Sequence, residues 1–245
     1  MKIAIVTQAR MGATRLPGKV MIDLCGKPML WHFIERLKKI RNADEIIVAT
    51  TKNPKDDVIV RAAISWDVKV SQGSEEDVLA RYYFTAKEHK VDVIVRITSD
   101  DPLIDPKVVD KIIKYYINSE GKMDYVSNNL VLSYPLGLDT EVFSFSVLEK
   151  AWREAKEPYQ REHVTPYIYE HPEIFRLANV KNSEDLSYLR WTVDEEKDLK
   201  FVREVYKRLY KEDEVFLMQD VLNLLKKEPQ LLEINKEIRH KKLGE

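Results

Sequence analysis

The sequence predicts an α/β fold with a mostly parallel central sheet and helices on both faces. Three observations support this prediction. Apolar runs recur at residues 2–7, 45–50 and 91–98, as in parallel strands that are buried on both faces. Amphipathic helical patterns separate these runs. No glycine- and serine-rich linker interrupts the chain, so we expect one domain over residues 1–245.

The elements of the first half alternate regularly. The strand at 2–7 ends in a polar loop that contains Gly12, Pro17 and Gly18, as is typical of a chain leaving a sheet. A helix over 29–40 follows, with cationic residues near its end that suit the helix dipole. The alternation continues with strands at 45–50, 68–71 and 91–98 and helices at 56–66, 74–87 and 106–118. Parallel sheets bind ligands at the carboxyl ends of their strands, so we expect the site in the loops that follow.

The second half is less regular. Strands are predicted at 139–145 and 189–193, and helices at 147–156, 195–211 and 217–227. We therefore describe one domain with a regular half, 1–120, and an elaborated half, 121–245. The basic residues 239–242 are predicted to be a solvated chain end.

The composition excludes several classes of protein. The 40 Lys and Arg residues balance 41 Asp and Glu residues, and the net charge of -1 provides no global field for nucleic acid or an anionic membrane. Cys25 is the single cysteine, which excludes an intramolecular disulfide framework and a cysteine-rich metal site. No apolar stretch reaches the length of about 20 residues that a membrane span needs. We therefore expect a cytoplasmic protein.

The loop after the first strand is the most informative segment. It contains Arg10, Arg15 and Lys19, with the backbone of Gly12 and the hydroxyl group of Thr14 between them. These cations can neutralise a triphosphate, which backbone amides can approach closely; the alternative is a solvated basic loop. A P-loop is excluded because five residues, rather than four, separate the first glycine from the Gly-Lys pair, and valine follows the lysine.

Six segments along the chain form an ordered set of motifs. They are residues 8–30, with ARMGATRLPGK and GKPM; 72–79, QGSEEDVL; 96–105, RITSDDPLID; 137–143, GLDTEVF; 161–167, REHVTPY; and 190–194, RWTVD. In this order they resemble the CMP-sugar synthetase superfamily. The likeness is greatest to the cytidylyltransferase-like proteins of spore coat polysaccharide biosynthesis, relatives of the CMP-Kdo and CMP-sialic acid synthetases. Ser99-Asp100-Asp101-Pro102 departs from the Gly-Asp-Glu-Pro of CMP-Kdo synthetases, which leaves the acceptor open.

The resemblance implies a GT-A-like nucleotide-diphospho-sugar transferase fold and a magnesium-dependent cytidylyltransferase. Such an enzyme transfers CMP from CTP to a sugar or sugar acid and releases pyrophosphate. Its relatives are often homodimers. By the same resemblance, Arg10, Arg15, Lys19 and Asp100 are the catalytic residues, and Ala9, Arg10, Gly12, Thr14, Lys19, Gln72, Gly73 and Ser74 bind the nucleotide.

The resemblance also assigns roles to several acidic residues. The sequence pattern alone allows other roles for each of them. Asp100 and Asp194 are implied ligands of Mg²⁺, which takes only one or two carboxylates when it bridges phosphates. The pattern alone favours a turn or helix-entry role for Asp100, and it equally allows Asp194 to be the N-cap of the helix at 195. Asp101 and Asp105 stay open as caps of the helix that follows them.

The acceptor side is implied by two segments of the second half. Asp139 and Glu141 can face the acceptor, as can Arg161, Glu162 and His163. A lone histidine such as His163 is also often structural. Two rival functions remain: a glycosyltransferase of the same fold and a nucleotide-binding module without turnover. The arginine-rich loop favours the nucleotidyltransferase.

Overall fold

A computed structural model describes residues 1–238; the basic segment 239–242 that we predict to be solvated lies outside them. Within residues 1–238 the strands are β1 (Ile3–Gln8), β2 (Asp23–Leu24), β3 (Lys27–Pro28), β4 (Glu45–Thr51), β5 (Lys69–Gly73), β6 (Val93–Arg96), β7 (Tyr125–Ser127), β8 (Glu141–Ser144) and β9 (Leu177–Asn179). The α-helices are α1 (Met29–Leu37), α2 (Asp57–Ser65), α3 (Val78–Glu88), α4 (Pro106–Asn118), α5 (Phe145–Glu154), α6 (Pro158–His163), α7 (Pro166–Tyr169), α8 (Glu196–Leu209) and α9 (Met218–Lys227).

Seven strands form the central sheet in the order β5-β4-β1-β6-β8-β7-β9. β5, β4, β1 and β6 run parallel, whereas β8 is antiparallel to both β6 and β7. The mostly parallel first half confirms the predicted α/β class. Its parallel strands end at one edge, where the loops after β1 and β6 are neighbours.

Side-chain alternation along β1 explains why the sheet is covered on both faces. Ile3 and Ile5 enter one apolar core together with residues of α1, α2, α4, α8 and α9. Ala4 and Val6 enter a second core with residues of α3, α5 and α7. A strand with apolar residues at every position therefore buries both faces.

Two elements differ from the sequence prediction. Residues 189–193 do not form a strand: Trp191 N donates to Leu136 O at 2.7 Å and Val193 N to Asp100 O at 2.8 Å, so the segment pairs with loops. The helix predicted from 74 begins at Val78, because the Asp77 carboxylate accepts a hydrogen bond from Ala80 N at 2.8 Å and caps it there. β7, β9, α6 and α7 are too short to have been recognised from periodicity.

Gly137 lies where the loop before β8 crosses the segment 189–193. Its φ is +101°, and a Cβ there would lie 2.6 Å from Thr192 N and 2.8 Å from Trp191 C. We expect Gly137→Ala to lower the free energy of unfolding by about 2–6 kcal/mol, since backbone strain and overlap with another backbone segment act together. Urea denaturation measures the loss.

Gly121→Ala is the matched control for this prediction. Gly121 has φ +77°, but no atom lies within 4 Å of the place that a Cβ would take. The variant should therefore show only the backbone strain of about 1–2 kcal/mol. Equal losses in the two variants would contradict the role of the close approach at Gly137.

Candidate active site

A cavity of about 250 Å³ opens at the carboxyl ends of β1 and β6. The loops after both strands line it, together with side chains of α3 and α6. Its lining residues are Gln8, Ala9, Arg10, Ala13, Arg15, Lys19, Val20, Val78, Arg81, Arg96, Thr98, Ser99, Asp100, Glu162 and His163. A groove of about 820 Å³ along α4 is larger but contains none of the predicted site residues.

The Lys19 ammonium group joins the two aspartates that the resemblance assigns to metal binding. Lys19 Nζ donates to Asp100 Oδ2 at 2.9 Å, to Asp194 Oδ1 at 3.0 Å and to Val193 O at 2.8 Å. Burial alone would lower the pKa of Lys19, but the charges of Asp100 and Asp194 outweigh it and raise that pKa. Burial alone would raise the pKa of Asp100. The charge and hydrogen bond of Lys19 outweigh burial and lower that pKa.

Asp194 contacts cations with both of its carboxylate oxygens. Oδ1 lies 3.0 Å from Arg15 Nη2, and Oδ2 accepts from Arg190 Nη2 at 2.9 Å. Glu195, rather than Asp194, is the N-cap of α8, in a capping box with Asp198. The N-cap alternative for Asp194 is therefore wrong, and its carboxylate is directed to the cavity loop.

The other two aspartates of the segment after β6 have different surroundings. Asp105 is the N-cap of α4: its Oδ1 accepts from Lys107 N at 2.7 Å. Asp101 caps no helix, but is buried and accepts from Thr98 Oγ1 at 2.8 Å. Burial, followed by the charges of Asp100 and Asp139, raises the pKa of Asp101 well above its ordinary value.

Of the predicted acceptor residues, Glu162 and His163 line the cavity. Burial lowers the pKa of His163. Glu141 is buried and does not line the cavity. Its carboxylate accepts hydrogen bonds from Tyr125 Oη at 2.5 Å and from Thr165 Oγ1 at 2.6 Å, and it forms an ion pair with Arg96. Its contacts hold the Arg96 guanidinium group at the end of β6.

Arg161 also serves the scaffold. Its Nη2 donates to Asp77 Oδ2 at 2.6 Å, and its Nη1 donates to the carbonyl oxygen of Trp152 at 2.8 Å. These bonds tie α6 to the start of α3 and to α5. Arg161 therefore positions the helix that carries Glu162 and His163.

The predicted nucleotide residues fall into two groups. Ala9, Arg10, Arg15 and Lys19 line the cavity, whereas Gly12, Thr14, Gln72, Gly73 and Ser74 lie outside its wall. Gln72 Nε2 donates to Thr51 O at 3.0 Å, and Ser74 Oγ accepts from Asp77 N at 3.0 Å. Gln72 and Gly73 thus end β5, and Ser74 begins the loop that leads to α3.

The sequence matches the family described as Cytidylyltransferase over residues 3–238. The chain belongs to the cytidylyltransferase family. It is 30% identical to the spore coat polysaccharide biosynthesis protein SpsF of Bacillus subtilis, over 93% of this chain and 95% of that protein. The predicted family is therefore confirmed.

Two of the solved structures that resemble this cytidylyltransferase illustrate its fold. A cytidylyltransferase from Leptospira borgpetersenii superposes with a TM-score of 0.92 at 34% identity, covering 98% of this chain and 100% of that one. A CMP:2-keto-3-deoxy-manno-octonic acid synthetase complexed with CTP gives 0.66 at 19% identity, covering 86% and 100%. These likenesses confirm the predicted nucleotidyltransferase fold. No helix among residues 1–238 of the cytidylyltransferase has the length and apolar character that crossing a bilayer requires.

Sequence reasoning missed two arginines of the cytidylyltransferase site. Arg96 ends the apolar strand β6, and Arg81 occupies the buried side of α3 between apolar neighbours. Each arginine takes a position where the pattern requires an apolar residue. Because buried arginines are rare unless paired, this departure from the pattern was the available sign of a functional role.

The two aspartates of the cytidylyltransferase fit a magnesium ion. Both carboxylates already share one cation, the Lys19 ammonium group. Among residues 1–238 no three acidic, histidine or cysteine side chains cluster as metal ligands. Phosphate oxygens of a nucleotide would therefore complete the coordination, as Mg²⁺ sites commonly require.

We expect Asp139 to make the stability of the cytidylyltransferase depend on pH. Burial, then the charges of Glu141 and Asp100, raises the pKa of Asp139 from 3.8 to about 7. Between these values the folded state binds more protons than the unfolded chain, so this contribution to stability falls as the pH rises from about 4 to about 7. We expect Asp139→Asn to remove that decline.

Urea denaturation in the presence of a chelator, across this pH range, measures the difference between wild type and variant. Asp57→Asn, at an exposed position of α2, is the control. Parallel pH profiles for wild type and Asp139→Asn would contradict the prediction.

Proposed function

We propose that this cytidylyltransferase is a cytoplasmic, magnesium-dependent enzyme that transfers CMP from CTP to a hydroxyl group of a sugar or sugar acid. The observation that carries the proposal is the Lys19 ammonium group between Asp100 and Asp194, with Arg15 beside them. The CTP bound in a structure of similar fold supports CTP as the nucleotide substrate. The name of the SpsF relative supports a product that is a precursor of a surface polysaccharide.

In the proposed reaction the acceptor oxygen bonds to the α-phosphorus of CTP. The bond from that phosphorus to the bridging oxygen of the β-phosphate breaks, and pyrophosphate leaves. Arg10, Arg15 and Lys19 bind the phosphates and stabilise the charge that develops on them, which requires no covalent intermediate. Mg²⁺ held by Asp100 and Asp194 would neutralise charge on the phosphate oxygens.

The acceptor is assigned to the side of the cavity lined by Arg96, Glu162 and His163. Burial favours the neutral form of His163 because it lowers the pKa of that residue, and a neutral imidazole can accept the proton of the attacking hydroxyl group. The Arg96 guanidinium group suits a carboxylate, which favours sugar acids among the acceptors.

Pyrophosphate release tests the function. The protein is mixed with MgCl₂, each of the four nucleoside triphosphates, and a panel of neutral sugars and sugar acids. We expect pyrophosphate with CTP and only in the presence of an acceptor. In a parallel assay with nucleotide sugars in place of the triphosphates, transfer of the sugar to an acceptor would instead favour the glycosyltransferase. Thermal stabilisation by CTP without product from any acceptor would favour a binding module.

The homodimer implied by the family resemblance is a separate proposal. Light scattering of the purified chain tests it through the molar mass in solution. A mass of one chain at assay concentration would contradict it.

A further inference from the structure

Arg190 is a buried arginine whose guanidinium group is shared by two carboxylates. Its side chain is 6% exposed. Nε donates to Asp198 Oδ1 at 2.9 Å, and Nη2 donates to Asp198 Oδ2 at 3.1 Å and to Asp194 Oδ2 at 2.9 Å. Arg190 does not line the cavity. It therefore meets the proposed site through the carboxylate of Asp194.

Asp198 holds Arg190 from the first turn of α8. The Asp198 side chain is fully buried, and its Oδ2 atom also accepts from the backbone amides of Asp194 and Glu195, each at 3.1 Å. A buried ion pair keeps its geometry when further hydrogen bonds satisfy the remaining lone pairs. The same pair thus holds both the backbone and one carboxylate oxygen of Asp194.

Asn235 adds a contact from the carboxyl-terminal part of the described chain. It follows the 3₁₀-helix Pro229–Ile234 and is buried. Its Nδ2 donates to Arg190 O at 2.9 Å and to Asp198 Oδ1 at 3.1 Å. Because both hydrogens of the side-chain amide are used, Asn235 restrains the two residues that hold Asp194.

This arrangement leaves one oxygen of Asp194 for the cavity. Oδ2 is bound by Arg190, and Oδ1 lies 3.0 Å from both Lys19 Nζ and Arg15 Nη2. Without that restraint the carboxylate could rotate about its side-chain bonds, and ordering it for a ligand would cost free energy. Loss of a group that hydrogen-bonds a ligating side chain typically weakens metal binding or activity about 10- to 100-fold.

We propose that Arg190 is a positioning residue: held by Asp198 and Asn235, it orients the Asp194 carboxylate toward the metal ion. The inference rests on the proposed function, because it takes Asp194 to hold Mg²⁺. A purely structural arginine would stabilise the fold without changing the response to magnesium. The magnesium requirement therefore separates the two roles.

Arg190→Lys tests the inference, because it keeps the positive charge but loses the planar fork that reaches two carboxylates at once. We expect the free Mg²⁺ concentration for half-maximal pyrophosphate release to rise about 10- to 100-fold. At saturating Mg²⁺, kcat should return to within about 3-fold of wild type, because the bound ion then orders the carboxylate. Arg203→Lys, at an exposed position of α8, is the matched control.

The melting temperature measures the same requirement without turnover. Each protein is titrated with MgCl₂ in the presence of α,β-methylene-CTP, whose bridging carbon prevents the release of pyrophosphate. A raised requirement in Arg190→Lys, without pyrophosphate from any acceptor, would support the inference while the proposed transfer reaction fails. Pyrophosphate release with an unchanged requirement in Arg190→Lys would overturn the inference alone.

Asp194→Asn shows whether Arg190 acts through Asp194. Adding Arg190→Lys to Asp194→Asn should change the magnesium requirement by less than about 2-fold, because the group that Arg190 orients is already altered. The same fold-change in both backgrounds would assign Arg190 to general support of the fold and overturn the inference.

Asn235→Ala decides the matter if Arg190→Lys does not fold. Arg190 and Asp198 lose their shared donor in this variant, so we expect the magnesium requirement to rise about 3- to 10-fold. A lower melting temperature with the magnesium requirement of wild type would overturn the inference.

Discussion

Asp100→Asn is expected to lower kcat about 10³-fold while leaving the fold intact. Asparagine has the shape of aspartate but no charge, so Lys19 and the proposed metal ion both lose a carboxylate. The backbone carbonyl of Asp100, which accepts from Val193 N at 2.8 Å, is unchanged. The amide oxygen of the variant can still accept a hydrogen bond from Lys19.

Pyrophosphate release at saturating CTP measures this effect, and the melting temperature reports on the fold. Asp67→Asn is the matched control: Asp67 is exposed at φ 58°, a conformation that asparagine also adopts readily. A kcat of Asp100→Asn within a few-fold of wild type would remove Asp100 from the metal-binding and catalytic assignments.

Lys19→Met is expected to affect activity and stability together. We expect kcat to fall about 10²- to 10³-fold, since a group that neutralises phosphate charge is removed. Without metal, the free energy of unfolding should fall by about 1–3 kcal/mol. The reason is that Asp100 and Asp194 lose the ammonium group held between them, with Lys19 only 12% exposed at its side chain.

The metal dependence of this variant makes the prediction specific. Mg²⁺ should raise the melting temperature of Lys19→Met more than that of wild type, because the vacated position between two carboxylates attracts a cation. Lys52→Met, at an exposed position after β4, is the control. The same response to Mg²⁺ in Lys19→Met and Lys52→Met would contradict the prediction that Lys19 competes with a metal ion for the two carboxylates.

The arrangement of the site could be predicted only in part. Arg10, Arg15, Lys19 and Asp100 line one cavity, as a strand-end site in a parallel sheet requires. Glu141 belongs to a predicted acceptor segment, yet the structure places its carboxylate in a buried network. The motif identifies the segment, but neighbours from other segments determine which way each side chain is directed.

Local patterns in the sequence predict the strand and helix alternation, the basic loop after β1 and the family, because periodicity and motifs are properties of neighbouring residues. The contact of Asp194 with Lys19, across 175 positions of the chain, is visible in the folded structure alone. The same holds for the burial of Arg81 at the cavity wall, without a partner among the described residues. Both facts depend on which distant segments pack together, and no local pattern encodes the distance between two side chains that the fold alone brings into contact.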